Sequence, residues 1–332
     1  MSTNNKFEWL ADGNAPLLFP TELVTGSFIF EDLSKVRIPE TKPFAAAWGT
    51  SVSAHLLPDN RHPAPKFILI SWFSIVENKF YAVADELPQE QIEALLAETD
   101  PKTKKPKYDT IIAGMAPYGQ LALWLVGNGI TTEVAWLQGS EVNVAMNEFA
   151  PGSKLNQKEY AAKALAGCPE ANTNFQKNNL PNPERFNRYM QKFNYRIIPT
   201  FENGTELTAI ELAYYNGERN STNSGEHTEN VMRAKPSKIS LHWHIGNIQY
   251  SGYFWSDENK IIETFDQFYK NNPQTEGELC IEVNQSNKDF KFTLRDKFVE
   301  MEIPVTEMIV FKNKFEFFRS ENYSKPKGGW RN

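Results

Sequence analysis

Cysteine is scarce in this chain: of 332 residues, only Cys168 and Cys280 carry a thiol. Cys168 follows a glycine in a loop-like stretch, and Cys280 alternates with Leu279 and Ile281 in a strand pattern. No disulfide framework is expected from such a pair, and two thiols do not make a zinc site by themselves. Positive charge is also short. The formal net charge is -6 and the sequence pI ≈ 5.6, which argues against a nucleic-acid partner, since a phosphate backbone calls for a basic face. The dense basic run Lys102–Lys107 lies among prolines and reads as a solvated loop. Long apolar runs are missing too. Ile111–Val126 is interrupted by Pro117 and Gly119 and falls short of the roughly 18 residues expected of a membrane span. The opening MSTNNKFEWLADG has neither the basic start nor the apolar core of a secretory signal. The expectation is a soluble chain without a membrane span, cytoplasmic as written, and periplasmic or lipid-anchored if a signal sequence has been removed.

Catalytic signatures are equally absent. There is no G-x-S-x-G elbow, neither cysteine has a cysteine-hydrolase context, and no P-loop or G-x-G-x-x-G follows a strand. The acidic pairs Asp85-Glu86 and Asp257-Glu258 stand at helix starts, where carboxylates complement the helix dipole. Nothing selects one carboxylate pair as a glycosidase dyad. These motifs therefore assign no catalytic residue, no cofactor and no metal.

Aromatic residues, by contrast, are plentiful. The chain holds 23 Phe, 12 Tyr and 8 Trp, a composition that favours strands. The stretch Ala64–Glu98 reads as strand, tight turn, strand and amphipathic helix, and Lys235–Lys270 repeats that plan. Both begin with a proline and a lysine, place a tryptophan late in the first strand (Trp72, Trp243) and turn at an asparagine (Asn78, Asn247). Pro88 suits the first helical turn, where its missing N–H costs nothing. Ile92, Leu95 and Leu96 share one helix face, as do Ile261, Ile262, Phe265 and Phe268. The segments downstream of each copy also match: YDTIIAGM, APYG, QLALWLVG and TEVAWLQ after the first stretch; GELCIEVN, QSNK, DFKFTLRD and FVEMEIPV after the second. This order predicts an α+β protein of two related lobes, each a mainly antiparallel sheet with one principal helix, produced by internal duplication. Residues 1–142 form the first lobe, 143–192 a connecting segment with short helices, and 193–332 the second lobe.

The remaining segments carry weaker signals. Residues 1–20 read as an extended lead-in, and Glu22–Phe30 and Ala45–Leu57 as strands. Gly127-Asn128-Gly129 and Asn203-Gly204 each read as a hairpin turn, because Asn and Gly tolerate positive φ. Short helices are expected at Gln157–Ala166 and Pro183–Phe193, and the dense asparagines Asn172, Asn174, Asn178, Asn179 and Asn182 mark exposed loop. Asn220–Asn230 reads as a mobile polar loop.

The sharpest candidate site is His242-Trp243-His244. Positions i and i+2 of a strand face one side, so both imidazoles can reach one metal. A third ligand is not evident, because His227 falls in the polar loop and no carboxylate has a telling spacing. The expectation is that Trp243 fills the core, as Trp72 does, and that the histidines occupy the less buried face without a metal. Trp124 and Trp136 flank the Gly127-Asn128-Gly129 turn; exposed, they make an aromatic binding platform, and buried they are ordinary core, the favoured alternative. Ala116-Pro117-Tyr118-Gly119 is either a partner-contact loop or a plain hairpin connection.

ISWFSIVENKFYAVADELP and YDTIIAGMAPYGQLALWLVG, followed by EVAWLQGSEV, resemble a bacterial family catalogued as domain of unknown function 2931. The likeness is clearest over residues 60–142 and extends more loosely to residues 235–270. Where two glycines are expected after Ala-Pro, this chain has Tyr118-Gly119, and the lipobox of many lipoprotein-like members is not found. The family has no established activity or site residues. Relatives encoded near toxin-secretion genes imply an immunity role by association. The expected function is non-enzymatic binding of a protein partner such as a cognate bacterial toxin. The alternatives are a metal-dependent hydrolase using His242 and His244, or a cell-envelope carbohydrate-binding protein built on exposed tryptophans.

Overall fold

The alternating run at Phe67–Ser74 and the run after Asn78 form a hairpin, and Asn78 takes the positive φ (55°) that its turn demands. The computed structural model describes residues 5–40, 43–51, 61–202, 205–223, 229–313 and 316–322. It is mixed α/β, with mostly antiparallel sheets and six helices among the described residues, and it divides into two units, 1–187 and 188–332.

The first unit runs β1 (Phe7–Glu8), β2 (Leu10–Asn14), β3 (Thr21–Ile29), β4 (Lys35–Arg37), β5 (Arg61–His62), β6 (Phe67–Ser74), β7 (Lys79–Glu86), α1 (Gln89–Leu96), β8 (Thr110–Met115), β9 (Gln120–Gly127), β10 (Ile130–Gln138) and β11 (Ser140–Val142). It continues through α2 (Met146–Phe149), α3 (Gln157–Ala166) and α4 (Pro169–Asn178). One sheet has the order β11-β7-β6-β3-β4, antiparallel throughout. In the other, β8, β9 and β10 form an antiparallel meander, and β2 joins β8 in parallel. Their inner faces share one core, in which Leu23, Ile70 and Trp72 meet Met115, Leu121 and Leu123. Helix α1 contributes the expected face: Ile92 and Leu96 are buried and Leu95 packs half-buried against the same cluster. Outward-facing Phe73 is covered by Phe149 and Tyr160 at ring distances of 5.3 and 6.2 Å, which ties α2 and α3 to this sheet.

Helix α5 (Glu184–Met190) crosses the boundary between the units. The second unit runs β12 (Phe193–Phe201), β13 (Glu206–Tyr214), β14 (Arg219–Asn223), β15 (Val231–Arg233), β16 (Pro236–Ile245), β17 (Ile248–Ser256) and α6 (Glu258–Tyr269). Beyond α6 come β18 (Gly277–Val283), β19 (Phe290–Arg295), β20 (Glu300–Glu302), β21 (Val305–Lys312) and β22 (Glu316–Glu321). Within this unit β14-β13-β16-β17-β21-β22 pair antiparallel. The other sheet has the order β15-β12-β18-β19-β20, with β12 parallel to β18 and the rest antiparallel. Asp257 caps α6 by accepting from Lys260 N at 3.0 Å. Ile261, Ile262 and Phe265 are buried as their spacing predicts; Tyr269 is buried with them while Phe268 is only half-buried.

Several expectations need correction. Residues 45–51 form no strand, only a bridge at Ala46, because the segment lays Trp48 across the outer face of the second sheet; residues 52–57 lie outside the described residues. The strands flanking Asn203-Gly204 are not a hairpin: β12 and β13 belong to different sheets, and the turn itself is outside the described residues. Asn220–Asn223 belongs to β14, whose backbone pairs with β13; residues 224–228, with His227, lie outside the described residues. The asparagine-rich stretch is helical from Pro169 to Asn178. Asparagine is a poor helix former, but amide pairs one turn apart, Gln176 to Asn172 (3.3 Å) and Asn178 to Asn174 (2.9 Å), offset that weakness. The lead-in holds β2, whose Asp12 and Asn14 disguise a buried strand. Among the described residues no helix is long and apolar enough to cross a membrane.

Candidate functional site

The segments ENKFY and APYG, far apart in sequence, meet in the first unit. Tyr118 adopts a positive φ of 63° within the turn Pro117–Gly119. Its N–H donates to both carboxylate oxygens of Glu77, at 3.1 and 3.0 Å. The same carboxylate accepts from Ser74 Oγ (2.7 Å) and Tyr81 OH (2.9 Å). Burial, reinforced by Glu77, raises the Tyr81 phenol well above its usual range, so it stays a donor. The Tyr118 hydroxyl donates in turn to Pro181 O at 2.7 Å. Pro117 and Gly119 are buried. These bonds hold the turn, so Ala116–Gly119 clasps the two sheets of this unit together.

Trp124 is fully buried. Its ring meets Trp48 edge-on at 4.6 Å and lies over Gly114, where an added Cβ would approach it to 2.2 Å. Trp136 packs half-buried against the same cluster. These tryptophans are core on the outer face of the second sheet, and the sugar platform drawn from them is not formed.

The histidine pair sits where the alternation of β16 puts it. Trp243 is 1% exposed, stacks on Tyr250 at 5.4 Å and donates to Asn287 Oδ1 at 3.0 Å. His242 and His244 occupy the opposite, half-exposed face. His242 Nδ1 is 3.0 Å from Ser251 Oγ, and Nε2 is 3.7 Å from Glu211 Oε1. His242 holds the Glu211 carboxyl below its usual range, against the opposing effect of burial. No group of three His, Cys, Asp or Glu able to hold a metal occurs among the described residues.

Ser251, His242 and Glu211 thus form a row across β17, β16 and β13. A hydrolase needs donors aimed at the developing oxyanion. Ser251 instead sits mid-strand, with β16 on one side and β21 on the other, so the surrounding backbone N–H groups are committed to ladders. The same face carries Lys238, Tyr253 and Trp255. Lys238 Nζ lies 5.2 Å from the Tyr253 ring and 5.4 Å from the Trp255 ring, and the two rings stack at 6.4 Å. Burial lowers the Lys238 amine and raises the Tyr253 phenol. The resulting band carries its charged groups, Glu211 and Lys238, on β13 and β16 and its two rings on the adjoining β17, and all its side chains but the exposed Glu211 are half-buried. Its signal was present as the period-2 spacing of Ser251, Tyr253 and Trp255, but joining it to Lys238 and His242 required the hairpin register.

No curated protein and no solved structure matches the chain. The model of one family does match, that described as "Protein of unknown function (DUF2931)", over residues 1–181. That span holds more than half of the chain and includes the whole Glu77–Tyr118 clasp, and the chain belongs to this family.

Proposed function

We propose that the protein is a non-enzymatic binding protein that recognises a protein partner through the band formed by Glu211, Lys238, His242, Tyr253 and Trp255. The observation that carries this reading is the placement of a lysine over two stacked, half-buried aromatic rings on a strand-paired, rigid surface. Interface anchors are enriched in such aromatics, and a pre-ordered side chain loses less entropy on binding. The partner to try first is a toxin encoded beside the gene, which the family resemblance supplies by association. Calorimetry with that neighbouring product should give binding that Trp255→Ala and Tyr253→Ala each weaken by about tenfold or more. Unchanged affinity in both variants would remove the band from the interface. The Ser251–His242–Glu211 row favours a second reading, a hydrolase. Hydrolysis of an activated ester by the purified protein, lost in Ser251→Ala and in His242→Ala, would support that reading over the first.

We also propose that the two units descend from one duplicated ancestor. Two pairing patterns support this. The order β11-β7-β6-β3-β4 has the counterpart β21-β17-β16-β13-β14, and β2-β8-β9-β10 has the counterpart β12-β18-β19-β20, each with its first pair parallel. Trp72 lies between Leu23 and Tyr81, and Trp243 between Leu207 and Tyr250, and in each case the register shifts just after the leucine. Thermal unfolding of residues 188–332 expressed alone tests the corollary that the second unit carries its own core. A chain without a cooperative transition would count against it.

A further inference from the structure

The two units differ at one corresponding place, the end of the sheet beyond the principal helix. In the first unit, residues 97–109 connect α1 to β8 and fold back on the β9–β10 turn. Lys107 N donates to Glu98 O at 2.9 Å and Asn128 Nδ2 to Pro106 O at 3.1 Å; a Cβ added at Gly127 would lie 2.3 Å from Lys107 O. Main chain fills that site. In the second unit the connection from α6 to β18 is residues 270–276, about half as long, and the corresponding place is a cleft of ≈ 470 Å³.

Its floor is a fixed ion network. Arg196 donates through Nε to Glu278 Oε1 at 3.1 Å and also through Nη2, while Arg295 Nε donates to Glu278 Oε2 at 3.1 Å. These bonds, that from Arg196 first, hold the Glu278 carboxyl below its usual range. One wall carries Asn272, whose Oδ1 accepts from Gln274 N at 3.2 Å, and Glu276, which accepts from Asn230 Nδ2 at 3.2 Å. The other wall is the β19–β20 turn. Asp296 Oδ1 accepts from the N–H groups of Phe298 and Val299, both at 2.7 Å, which pins the turn. That turn holds Phe298 at 90% exposure on the rim. So exposed an aromatic ring costs solvation and contributes no packing within this chain.

The charges around the cleft decide its occupant. Arg196 and Lys297 of the lining stand against Glu276, Glu278 and Asp296. Arg295, outside the lining, pairs with Glu278, so the charges balance only when that partner is counted, and neither an anion nor a cation gains much on entering. A neutral ligand rich in hydroxyls matches better: it can donate to the carboxylates, accept from Lys297 and the amides, and lay an apolar ring face on Phe298. The volume falls within the range of about 300–1,000 Å³ usual for small-molecule sites. We propose that this cleft binds a neutral saccharide of one or two rings, stacked on Phe298. The cleft lies on a different sheet from the band proposed for the protein partner, and its test uses different variants.

The test uses the full chain, with glucose, N-acetylglucosamine and maltose as neutral probes, and glucuronate and glucosamine as charged ones of similar shape, followed by saturation-transfer NMR and calorimetry. The expected result is that a neutral probe binds about tenfold or more tighter than either charged probe. Phe298→Ala, a substitution at an exposed turn, should weaken it about tenfold, and Asn272→Ala should also weaken it. Trp255→Ala should leave it unchanged. Absence of binding by all three neutral probes, tighter binding of a charged one, or unchanged binding in both Phe298→Ala and Asn272→Ala would overturn the proposal.

Discussion

Lys235 offers a prediction whose sign and size both follow from its surroundings. Its side chain is fully buried, with Nζ donating to Arg188 O at 2.8 Å and Gln191 Oε1 at 2.9 Å, 3.5 Å from Asp266 Oδ1 and 4.7 Å from the Phe193 ring centre. Burial lowers the amine to about 8, and Asp266 only partly opposes it. In the unfolded chain a lysine titrates near ~10.4. Below about pH 8 both states hold the proton, and the folded state bears the whole cost of the buried charge. Between about 8 and ~10.4 the folded state has released a proton that the unfolded state keeps, so stability rises with pH. At about 1.4 kcal/mol per pH unit, the whole window is worth roughly 3 kcal/mol, of which about 2–3 kcal/mol is reached by pH ~10. A neutral amine still has N–H groups for both Arg188 O and Gln191 Oε1, so the hydrogen bonds survive the loss of charge. Equilibrium urea unfolding at steps from about pH 7 to 10, on wild type and Lys235→Met, separates this lysine from every other titrating group. The stability difference should move in favour of wild type by roughly 2–3 kcal/mol by pH ~10. Parallel curves for the two proteins would refute the argument.

Three further substitutions probe packing and the clasp. Phe265 is fully buried, with ring centres 5.5 Å from Phe193 and 5.4 Å from Tyr195; Phe265→Ala should cost about 3–5 kcal/mol by chemical unfolding, and an unchanged midpoint would mean the helix face is not core. Glu77→Ala leaves the Tyr118 N–H without its carboxylate; the expected cost is about 1–3 kcal/mol, with faster hydrogen exchange at the Tyr118 amide, and unchanged exchange would break the link. Gly114→Ala places a methyl 2.2 Å from the Trp124 ring, so overpacking should cost about 1–3 kcal/mol; a neutral result would show that the tryptophan layer can give.

Local periodicity made the central hairpins and the principal helices readable. The face of Ile92 and Leu96 and the inward Trp72 and Trp243 follow from spacing alone, whereas Pro88 is the N-cap of α1, one residue ahead of its expected place in the first turn. What escaped depends on partners far away in sequence. The parallel pairing of β2 with β8 leaves no local mark, and the buried Asp12 and Asn14 of β2 let it read only as part of an extended lead-in. Asn203-Gly204 looked like a hairpin because the composition of a turn does not say whether the next strand stays in its sheet. His242 was visible as a candidate, but its actual neighbours Ser251 and Glu211 come from two other strands, fixed by register. The Glu77 clasp was unreadable for the same reason: a glutamate in a hairpin turn is unremarkable until Tyr118 arrives beside it.

The parallel pairs also set a timetable for synthesis. Leu10 pairs with Thr110 and Tyr195 with Gly277, so at about 5–20 residues per second β2 and β12 each wait on the order of 5–20 s for their parallel partner to leave the ribosome. During that interval β2 has no partner strand and β12 has only β15 along its first three residues, and contacts so distant form slowly in any case. A strand spelled LADGN, with little intrinsic appetite for pairing, is less prone to join a neighbouring chain while it waits. β12 has no such protection: FNYRIIPTF is strongly strand-forming, which makes the nascent second unit the stage at which chaperone dependence and aggregation should concentrate.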